Sequence, residues 1–242
     1  MTARATCQIR AIVTDIEGTT TDISFVSQVL FPYAAKALPA FLAKHQADPA
    51  VAIELDAVRT LMQRDTASVA EITEQLLAWI RADQKITPLK ALQGMIWRDG
   101  YLRGDFQGHL YADVAPALTT WQQAGIALYV FSSGSIAAQQ LLFGYSVEGD
   151  LTSRFSGYFD TRTGAKQQVE AYQAIQNAIA LPSAQLLFLS DVVAELDAAR
   201  AAGWQTCQLL RPGTADSDHQ HARAADFHQV SALFALEQRS TA

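Results

Sequence analysis

The sequence has few cysteines and few charged residues. The 242-residue chain holds two cysteines, Cys7 and Cys207, and 17% of its residues are Asp, Glu, Lys or Arg. Two cysteines at opposite ends of the chain provide neither a disulfide framework nor the closely spaced ligand pairs of a zinc site. Both lie in apolar runs, so we expect each to be a buried free thiol.

The chain also lacks an excess of positive charge and a long apolar run. Its formal net charge is −6 at pH 7. Nucleic acid binding requires a basic surface that neutralises phosphates, so this charge argues against a nucleic acid partner. We find no signal-peptide core and no apolar run of about 18 residues, the length that spans a bilayer. We therefore expect a cytoplasmic protein without a membrane partner.

What the sequence does have is an apolar fraction of 50%, enough for a sizeable core. Short apolar runs without polar alternation predict strands that are covered on both faces. Three such runs span 9–14, 125–132 and 184–190, and a weaker one spans 204–210. Helical patterns alternate with them. The sequence therefore predicts an α/β fold, with a Rossmann-like parallel sheet sandwiched by helices.

The stretch 22–105 interrupts this alternation. Four consecutive helical patterns fill it, and no convincing strand separates them. We predict an α/β core formed by 1–21 and 106–242, with the helical domain 22–105 inserted after the first strand. The polar stretch 211–227 is predicted to be a loop.

Polar side chains able to do chemistry follow the predicted strands. Binding sites in parallel α/β sheets form beyond the carboxyl ends of the strands, so we expect these side chains to meet there. They are Asp15 and Glu17 after the first strand, Ser132, Ser133 and Ser135 after the second, Lys166 before the next helix, and Asp191 with Glu195 after the third strand.

This combination of side chains is typical of phosphate chemistry. Converging carboxylates repel one another, and Mg²⁺ relieves the repulsion by taking one or two carboxylates with waters and phosphate oxygens. A serine hydroxyl and a lysine ammonium would hold the remaining phosphate oxygens. A carboxylate can attack the phosphorus and form an acyl-phosphate. In such a site Asp15 is the nucleophile and Glu17 the acid and base for the leaving group and the water.

Each of these residues has a plainer interpretation when it is taken alone. Asp15 and Glu17 fit a turn, the serines and Asp191 fit helix caps, and a single lysine is usually solvated. Their occurrence in order at successive strand exits favours the joint interpretation.

The order of these motifs resembles that of the haloacid dehalogenase-like phosphatases. Within that superfamily the chain is most similar to the enolase-phosphatases of methionine salvage, which carry Glu at the position of Glu17 where most of the superfamily has Asp. The resemblance covers nearly the whole chain, in the stretches "DIEGTTTDISFV", "LQGMIWRDGYLRGDFQGHLYADVAPAL", "VFSSGSIAAQQLLFGYS", "GYFDTRTGAKQQVEAY" and "FLSDVVAELDAARAAG".

The resemblance implies a bifunctional, Mg²⁺-dependent enzyme. Such an enzyme enolises 2,3-diketo-5-methylthiopentyl-1-phosphate and then removes its phosphate, which leaves an acireductone. It also implies that the helical insertion is a cap closing over the site, and that the protein is a monomer. The polar stretch 211–227 is richer in His and Ala than this family's loop.

The same resemblance implies roles for individual residues. Asp15 and Asp191 would bind Mg²⁺, and Glu17 would join them through its carboxylate or its backbone carbonyl. Asp15 and Glu17 would be catalytic. The positions that match the family's substrate-binding residues are Ser132, Ser133 and Lys166.

Two other functions and one unassigned role stay open from the sequence. A cap-gated phosphatase of the same superfamily could act on another small phosphate ester, and a silent binding protein could use the same fold. No residue is identified as the base for enolisation. Glu17 is close, and a cap residue is an alternative. His109 is a further candidate for this base, but we expect it to serve as a structural hinge at the junction of insertion and core. Trp97 and Tyr101 could contact substrate, but we expect them to belong to the core of the insertion.

Overall fold

The computed structural model describes residues 8–215 and 220–236. The chain divides into two compact units. The core unit runs up to Ile23 and resumes at Gly108, and the helical unit comprises Ser24–Gln107. The predicted division had placed the insertion at 22–105. Cys7 lies outside the described residues, so its predicted burial stays a prediction.

The core unit contains a parallel sheet of six strands, which confirms the predicted α/β class. The strand order is β3-β2-β1-β4-β5-β6, and every described pair is parallel. The four predicted strands are β1, β2, β4 and β5, and two short ones, β3 and β6, were not predicted. The bounds are β1 Ala11–Thr14, β2 Ala127–Phe131, β3 Gly157–Phe159, β4 Leu186–Ser190, β5 Gln205–Leu209 and β6 Ala222–Ala224.

The two central strands explain why the sequence signal was strong. All residues of β1 and of β4 are buried, as expected for strands covered on both faces. Ala11 of β1 is in register with Ala127 of β2 and Leu186 of β4. The strand order reverses between β1 and β4, which is where ligands bind in sheets of this kind. The residues following β1, β2 and β4 therefore reach the same edge.

Helices cover both faces of the sheet. On one face Tyr172 and Leu196 pack with Val13, Phe131 and Phe188 in a single buried cluster. Strand side chains alternate between faces, so their neighbours point to the other layer. The helices of the core unit are α6 Val114–Gln123, α7 Ile136–Gly144, α8 Val169–Ile179, α9 Val193–Ala201 and α10 Phe227–Phe234; α6 and α10 meet through the stacked rings of Trp121 and Phe227.

The prediction that 211–227 is a loop was partly wrong. The stretch contains β6, and α10 begins at its last residue. β6 is only three residues long and has no apolar run, because exposed Arg223 stands between two alanines. What places it is a neighbour distant in sequence: its strand partner is β5, and buried His221 lies 2.7 Å from the hydroxyl of Thr206.

The helical unit has a hydrophobic core of its own. Leu38, Leu55, Ile72 and Leu92, from four successive helices, are buried in one cluster. A capping box at Ser68, whose hydroxyl and backbone N–H exchange hydrogen bonds with the residue three positions on, begins one of these helices. Helical structure starts at α1 Ile23–Phe25 and continues through the wider turns of Val26–Leu30 into α2 Phe31–His45, α3 Pro49–Met62, α4 Val69–Arg81 and α5 Thr87–Arg103.

One helical stretch of the described residues is long and apolar enough to cross a membrane. Ile23–His45 has 23 residues, and an 18-residue window of it has a mean hydropathy of 1.3, with 28% of that window buried inside the protein. Length and composition alone are weak evidence, because core helices pass the same test. Ala34, Leu38 and Leu42 of this stretch are fully buried in the helical unit. The absence of a membrane partner stays a prediction.

Candidate active site

A buried lysine lies between two carboxylates at the carboxyl edge of the sheet. The Nζ of Lys166 is 2.6 Å from Oδ1 of Asp15 and 2.6 Å from Oε2 of Glu195. All three side chains are about nine-tenths buried. Burial alone would favour the neutral amine, but the two carboxylates outweigh it and raise the pKa of Lys166. The lysine is therefore a fixed positive charge in the site.

Asp15 is held by the backbone on either side of it. Its N–H donates to the carbonyl of Leu189 at 2.8 Å, which continues the pairing of β1 with β4 by one residue. Its Oδ1 also accepts the N–H of Ile16 at 2.7 Å. Two donors on one oxygen fix the plane of the carboxylate, so Asp15 is oriented before any substrate arrives.

The negative charge of Glu195 is only partly compensated by its neighbours. It lies in the first turn of α9, and its Oε2 accepts the hydroxyl of Ser190 at 3.0 Å. Burial and the charge of Asp15 raise its pKa to about 7, despite the opposing effect of Lys166. One lysine faces two carboxylates, and the positive charge here is insufficient for both.

Asp191 is placed against the turn that follows Asp15. It comes directly after β4, and burial followed by the charge of Asp15 raises the pKa of Asp191 to about 6. Gly18 lies beside it with φ +69°, a conformation that favours glycine. A Cβ on Gly18 would come within 2.3 Å of Oδ2 of Asp191. No other residue type fits this approach of the turn to the carboxylate.

These observations fit a hard divalent cation. Oδ1 of Asp191 is buried and has no hydrogen-bond partner among the residues described. An unpaired anionic oxygen beside a second carboxylate is what Mg²⁺ would satisfy. In the described part of the chain no three His, Cys, Asp or Glu side chains form a group able to hold a metal. The arrangement therefore suits two carboxylates completed by a carbonyl oxygen and waters, rather than three carboxylates.

The serines of the β2 exit differ from one another in environment. Ser132 is buried, its N–H donates to the carbonyl of Phe159, and its Oγ accepts the N–H of Gly134 at 3.2 Å. Ser133 is exposed. The side chain of Ser135 accepts the N–H of Ala138 and caps α7, so the plainer cap interpretation is right for this residue.

Glu17 lies in the turn that we call the β1 loop, Asp15–Thr21. The N–H groups of Thr19, Thr20 and Thr21 all donate to the carbonyl of Ile16, which winds the loop tightly. The three threonines are fully buried, while Glu17 is half-buried. The threonines thus form the buried turn of the loop, and Asp15 and Glu17 precede this turn.

Three residues that support the site were given no role from the sequence. Glu195 was noted only as a neighbour of Asp191. Tyr172 donates its hydroxyl to the carbonyl of Lys166 at 2.7 Å. Gln139 donates to the carbonyls of Gly134 and Phe159, both at 2.8 Å, and so fixes the loop after β2. The spacing of Glu195 four residues after Asp191 was a usable signal, whereas nothing local marked the other two.

The aromatic and histidine residues left open by the sequence also have definite contacts. Nδ1 of His109 accepts the N–H of Asp22 at 3.0 Å, and the hydroxyl of Thr21 donates to the carbonyl of His109 at 2.6 Å. His109 therefore joins the two points at which the chain leaves and re-enters the core unit. Tyr101 is buried within the helical unit, and the indole N–H of Trp97 donates to the carbonyl of Leu30 there.

Comparison with known proteins gives consistent results. The sequence profile of the haloacid dehalogenase-like hydrolases matches residues 9–203. The chain is 59% identical to an enolase-phosphatase E1 of Erwinia tasmaniensis over 92% of this chain and 97% of that protein. The crystal structure of UTR4 protein from Saccharomyces cerevisiae superposes with a TM-score of 0.77 at 32% identity, over 92% of this chain and all of that one.

A more distant structure shares the fold alone. The putative hydrolase YfnB of Bacillus subtilis, solved with bound magnesium, superposes with a TM-score of 0.58 at 13% identity. The match covers 94% of this chain and 99% of that one.

Proposed function

The chain belongs to the haloacid dehalogenase-like hydrolases, and on that premise we propose that it is the Mg²⁺-dependent enolase-phosphatase of methionine salvage. It would convert 2,3-diketo-5-methylthiopentyl-1-phosphate to the acireductone 1,2-dihydroxy-3-keto-5-methylthiopentene. The observation that carries the phosphatase step is the ion pair between Lys166 and Asp15, which sets an oriented carboxylate beside a fixed cation.

In this proposal Asp15 is the nucleophile. Its carboxylate attacks the phosphorus, and the ester oxygen leaves as an aspartyl-phosphate forms on Asp15. Lys166 and the hydroxyl of Ser132 bind non-bridging oxygens of the phosphate, and Ser133 adds a further contact. Lys166 supplies positive charge where the phosphoryl group would gain negative charge in the transition state.

Glu17 is assigned the proton transfers. It protonates the leaving oxygen and then deprotonates the water that hydrolyses the aspartyl-phosphate. This role is compatible with a metal site in which Glu17 contributes its backbone carbonyl, because its carboxyl group then remains available. The two-carboxylate arrangement of Asp15 and Asp191 supports that version.

Asp15, Asp191 and the carbonyl of Glu17 would hold the Mg²⁺. The bound cation would screen the negative charges of Asp15 and the phosphate from each other and acidify the proton next to the diketone. The base for enolisation stays unassigned. Glu195 is tied to Lys166 and Ser190, which suits the support of Lys166 better than contact with substrate.

The helical unit is proposed to act as the cap of this enzyme. Its separate core and its insertion directly after the β1 loop support this role. A cap that closes over substrate would exclude water from an enol intermediate. We also propose a cytoplasmic monomer whose partner is a small phosphate ester.

The decisive test is to measure phosphate release from the diketone phosphate with and without Mg²⁺ while recording ultraviolet absorbance. We expect Mg²⁺-dependent phosphate release preceded by a transient enol absorbance. Release of phosphate without any enol signal would instead favour a phosphatase acting on another ester. Absence of hydrolysis of this substrate and of p-nitrophenyl phosphate would favour the silent binding protein.

A further inference from the structure

A second buried cation lies beside the β1 loop, outside the residues assigned above. Arg211 follows β5, and only 5% of its surface is exposed. Its two terminal nitrogens each donate to one carboxylate oxygen of Asp113 at 2.8 Å, and its Nε donates to the carbonyl of Thr19 at 3.0 Å. The guanidinium carbon lies 4.2 Å from the ring centre of Tyr111. The guanidinium is thus fixed on its edges and on one face.

The carbonyl groups of the β1 loop show what this contact adds. The carbonyl of Thr21 accepts the N–H of Gly18, and the carbonyl of Thr20 accepts the N–H of Tyr111. Both donors are backbone groups. The carbonyl of Thr19 accepts from Arg211, so here the donor is a side chain. At Thr19 the loop is therefore held by a side-chain group that substitution can remove.

The position of the β1 loop matters because two of its residues, Asp15 and Gly18, lie in the site. Asp15 begins the loop, and Gly18, the neighbour of Thr19, lies against the carboxylate of Asp191. A loop displaced at Thr19 would move Gly18 relative to Asp191 and turn Asp15 away from Lys166. A displacement of about 1 Å can cost a large factor in rate.

Stability alone does not account for a buried ion pair of this kind. Such a pair is often no more stabilising than apolar side chains of the same volume, because both charges lose their hydration. Two apolar side chains could replace Arg211 and Asp113, but neither could donate a hydrogen bond to the Thr19 carbonyl. The fork of the guanidinium can pair with Asp113 and still direct Nε to the loop.

We propose that Arg211 is a positioning residue, which holds the β1 loop, and with it Asp15 and Gly18, in the geometry that phosphoryl transfer requires. The proposal rests on the proposed function, because it takes Asp15 as the nucleophile. Asp113 orients Arg211 and accepts the N–H of Phe227 at the start of α10. In this proposal Arg211 acts through its contact with the loop.

The test compares Arg211→Lys with Ser231→Ala. Lysine keeps the charge beside Asp113 but lacks the planar fork that reaches Thr19. Ser231→Ala removes the hydrogen bond that the Nε1 of Trp121 donates to the Ser231 hydroxyl at 2.8 Å, and the one that this hydroxyl donates to the carbonyl of Phe227 at 3.1 Å. The variant weakens the contact of α6 with α10 and changes no hydrogen bond of the β1 loop. kcat and KM for phosphate release are measured for both, at a temperature at which circular dichroism shows both to be folded.

We expect Arg211→Lys to lower kcat about tenfold while KM changes less than about threefold, and to raise the Mg²⁺ concentration that gives half the maximal rate. Ser231→Ala is expected to melt at a lower temperature and to keep kcat within about twofold. A kcat of Arg211→Lys equal to that of Ser231→Ala would mean that Arg211 is only structural. If Arg211→Lys does not fold, Asp113→Asn gives the same comparison, with a smaller fall in kcat expected.

The choice of substrate separates this proposal from the function on which it rests. Wild-type protein that hydrolyses p-nitrophenyl phosphate but not the diketone phosphate would overturn the proposed substrate, and the comparison on p-nitrophenyl phosphate would still decide the role of Arg211. Wild-type protein that hydrolyses neither, and binds no beryllofluoride with Mg²⁺, would overturn both proposals.

Discussion

The core unit contains two buried charged clusters that differ in their balance of positive and negative charge. The cluster at the exits of β1 and β4 has one cation, Lys166, against two contacting carboxylates and the nearby Asp191. The cluster at the exit of β5 has one cation, Arg211, against one carboxylate, Asp113, with both carboxylate oxygens bonded. The first has too few positive charges and the second is balanced.

The pKa values express the same difference. Burial and the charge of Asp15 raise the pKa of Asp191 to about 6. For Asp113 burial also opposes ionisation, but the hydrogen bonds from Arg211 and from the N–H of Phe227 outweigh it and lower the pKa. A carboxylate without enough hydrogen-bond and charge partners can bind a cation or a proton. A fully paired carboxylate instead keeps its hydrogen-bond partners in position. The contrast separates a reactive site from its scaffold.

The largest expected effect removes the nucleophile from the unbalanced cluster. Asp15→Asn should lower phosphate release by at least about a thousandfold, because no comparable carboxylate replaces it. Without Mg²⁺ the variant should unfold at the same temperature as the wild type or higher, since one of the competing buried charges is gone. Thermal unfolding and phosphate assays measure both quantities.

A matched control is Asp160→Asn, at the exit of β3. Asp160 is buried and bonded by Arg162 and the N–H of Ile136, so its charge is satisfied and this variant should lose stability. Equal losses of stability in the two variants would contradict the contrast between the clusters.

The second effect concerns the balanced cluster. Asp113→Ala should destabilise the fold by about 3–5 kcal/mol, because it leaves the charge of Arg211 buried without a partner. Replacing both residues in Asp113→Leu with Arg211→Met should recover most of that loss. Urea unfolding gives the free energies. A double variant as unstable as the single one would show that the apolar pair cannot fill the site.

A smaller effect separates two serines of one loop. Ser132→Ala should lower phosphate release about tenfold, because a buried hydroxyl beside the nucleophile's strand would no longer bind a phosphate oxygen. Ser135→Ala should cost about 1 kcal/mol of stability through loss of the helix cap and leave the rate within about twofold. The opposite assignment, with Ser135 controlling the rate, would contradict the site as proposed.

The smallest effect is a pH dependence of the balanced cluster. Because folding lowers the pKa of Asp113, its contribution to stability is complete above about pH 4, the range of an unfolded aspartate, and is lost as the pH falls through the lower folded value. The difference in unfolding free energy between wild type and Asp113→Asn should therefore shrink on acidification. A difference that grows toward low pH would contradict the lowered pKa.

The sequence predicts most of the sheet and the placement of the acids at its edge, for physical reasons. Fully buried strands such as β1 and β4 are apolar along most of their length, and parallel strands deliver the residues after them to one edge. Asp15 and Asp191 directly follow β1 and β4, so their placement follows from that rule. The contact of Lys166 with Glu195 does not, because an acid in the first turn of a helix has a common local explanation. The residue roles themselves stay predictions.

What the sequence does not predict depends on partners that are distant along the chain. Arg211 and Asp113 are separated by 98 positions, and no local pattern joins them. β6 exists because β5 offers it an edge. Three-residue strands and single tethering side chains carry too little periodicity to be recognised alone.

The contact between Asp22 and His109 bears on how an insertion of this length can be tolerated at all. In the core unit the N–H of Asp22 lies 3.0 Å from Nδ1 of His109, so the chain leaves and returns at one point. In the helical unit Tyr33, near its beginning, donates to Asp105, near its end, at 2.6 Å. Each unit therefore closes its own side of the junction. The loop-closure entropy of the long connection is thereby offset by the folding of the insertion itself. The entropic cost to the core unit is then comparable to that of a short hairpin connection.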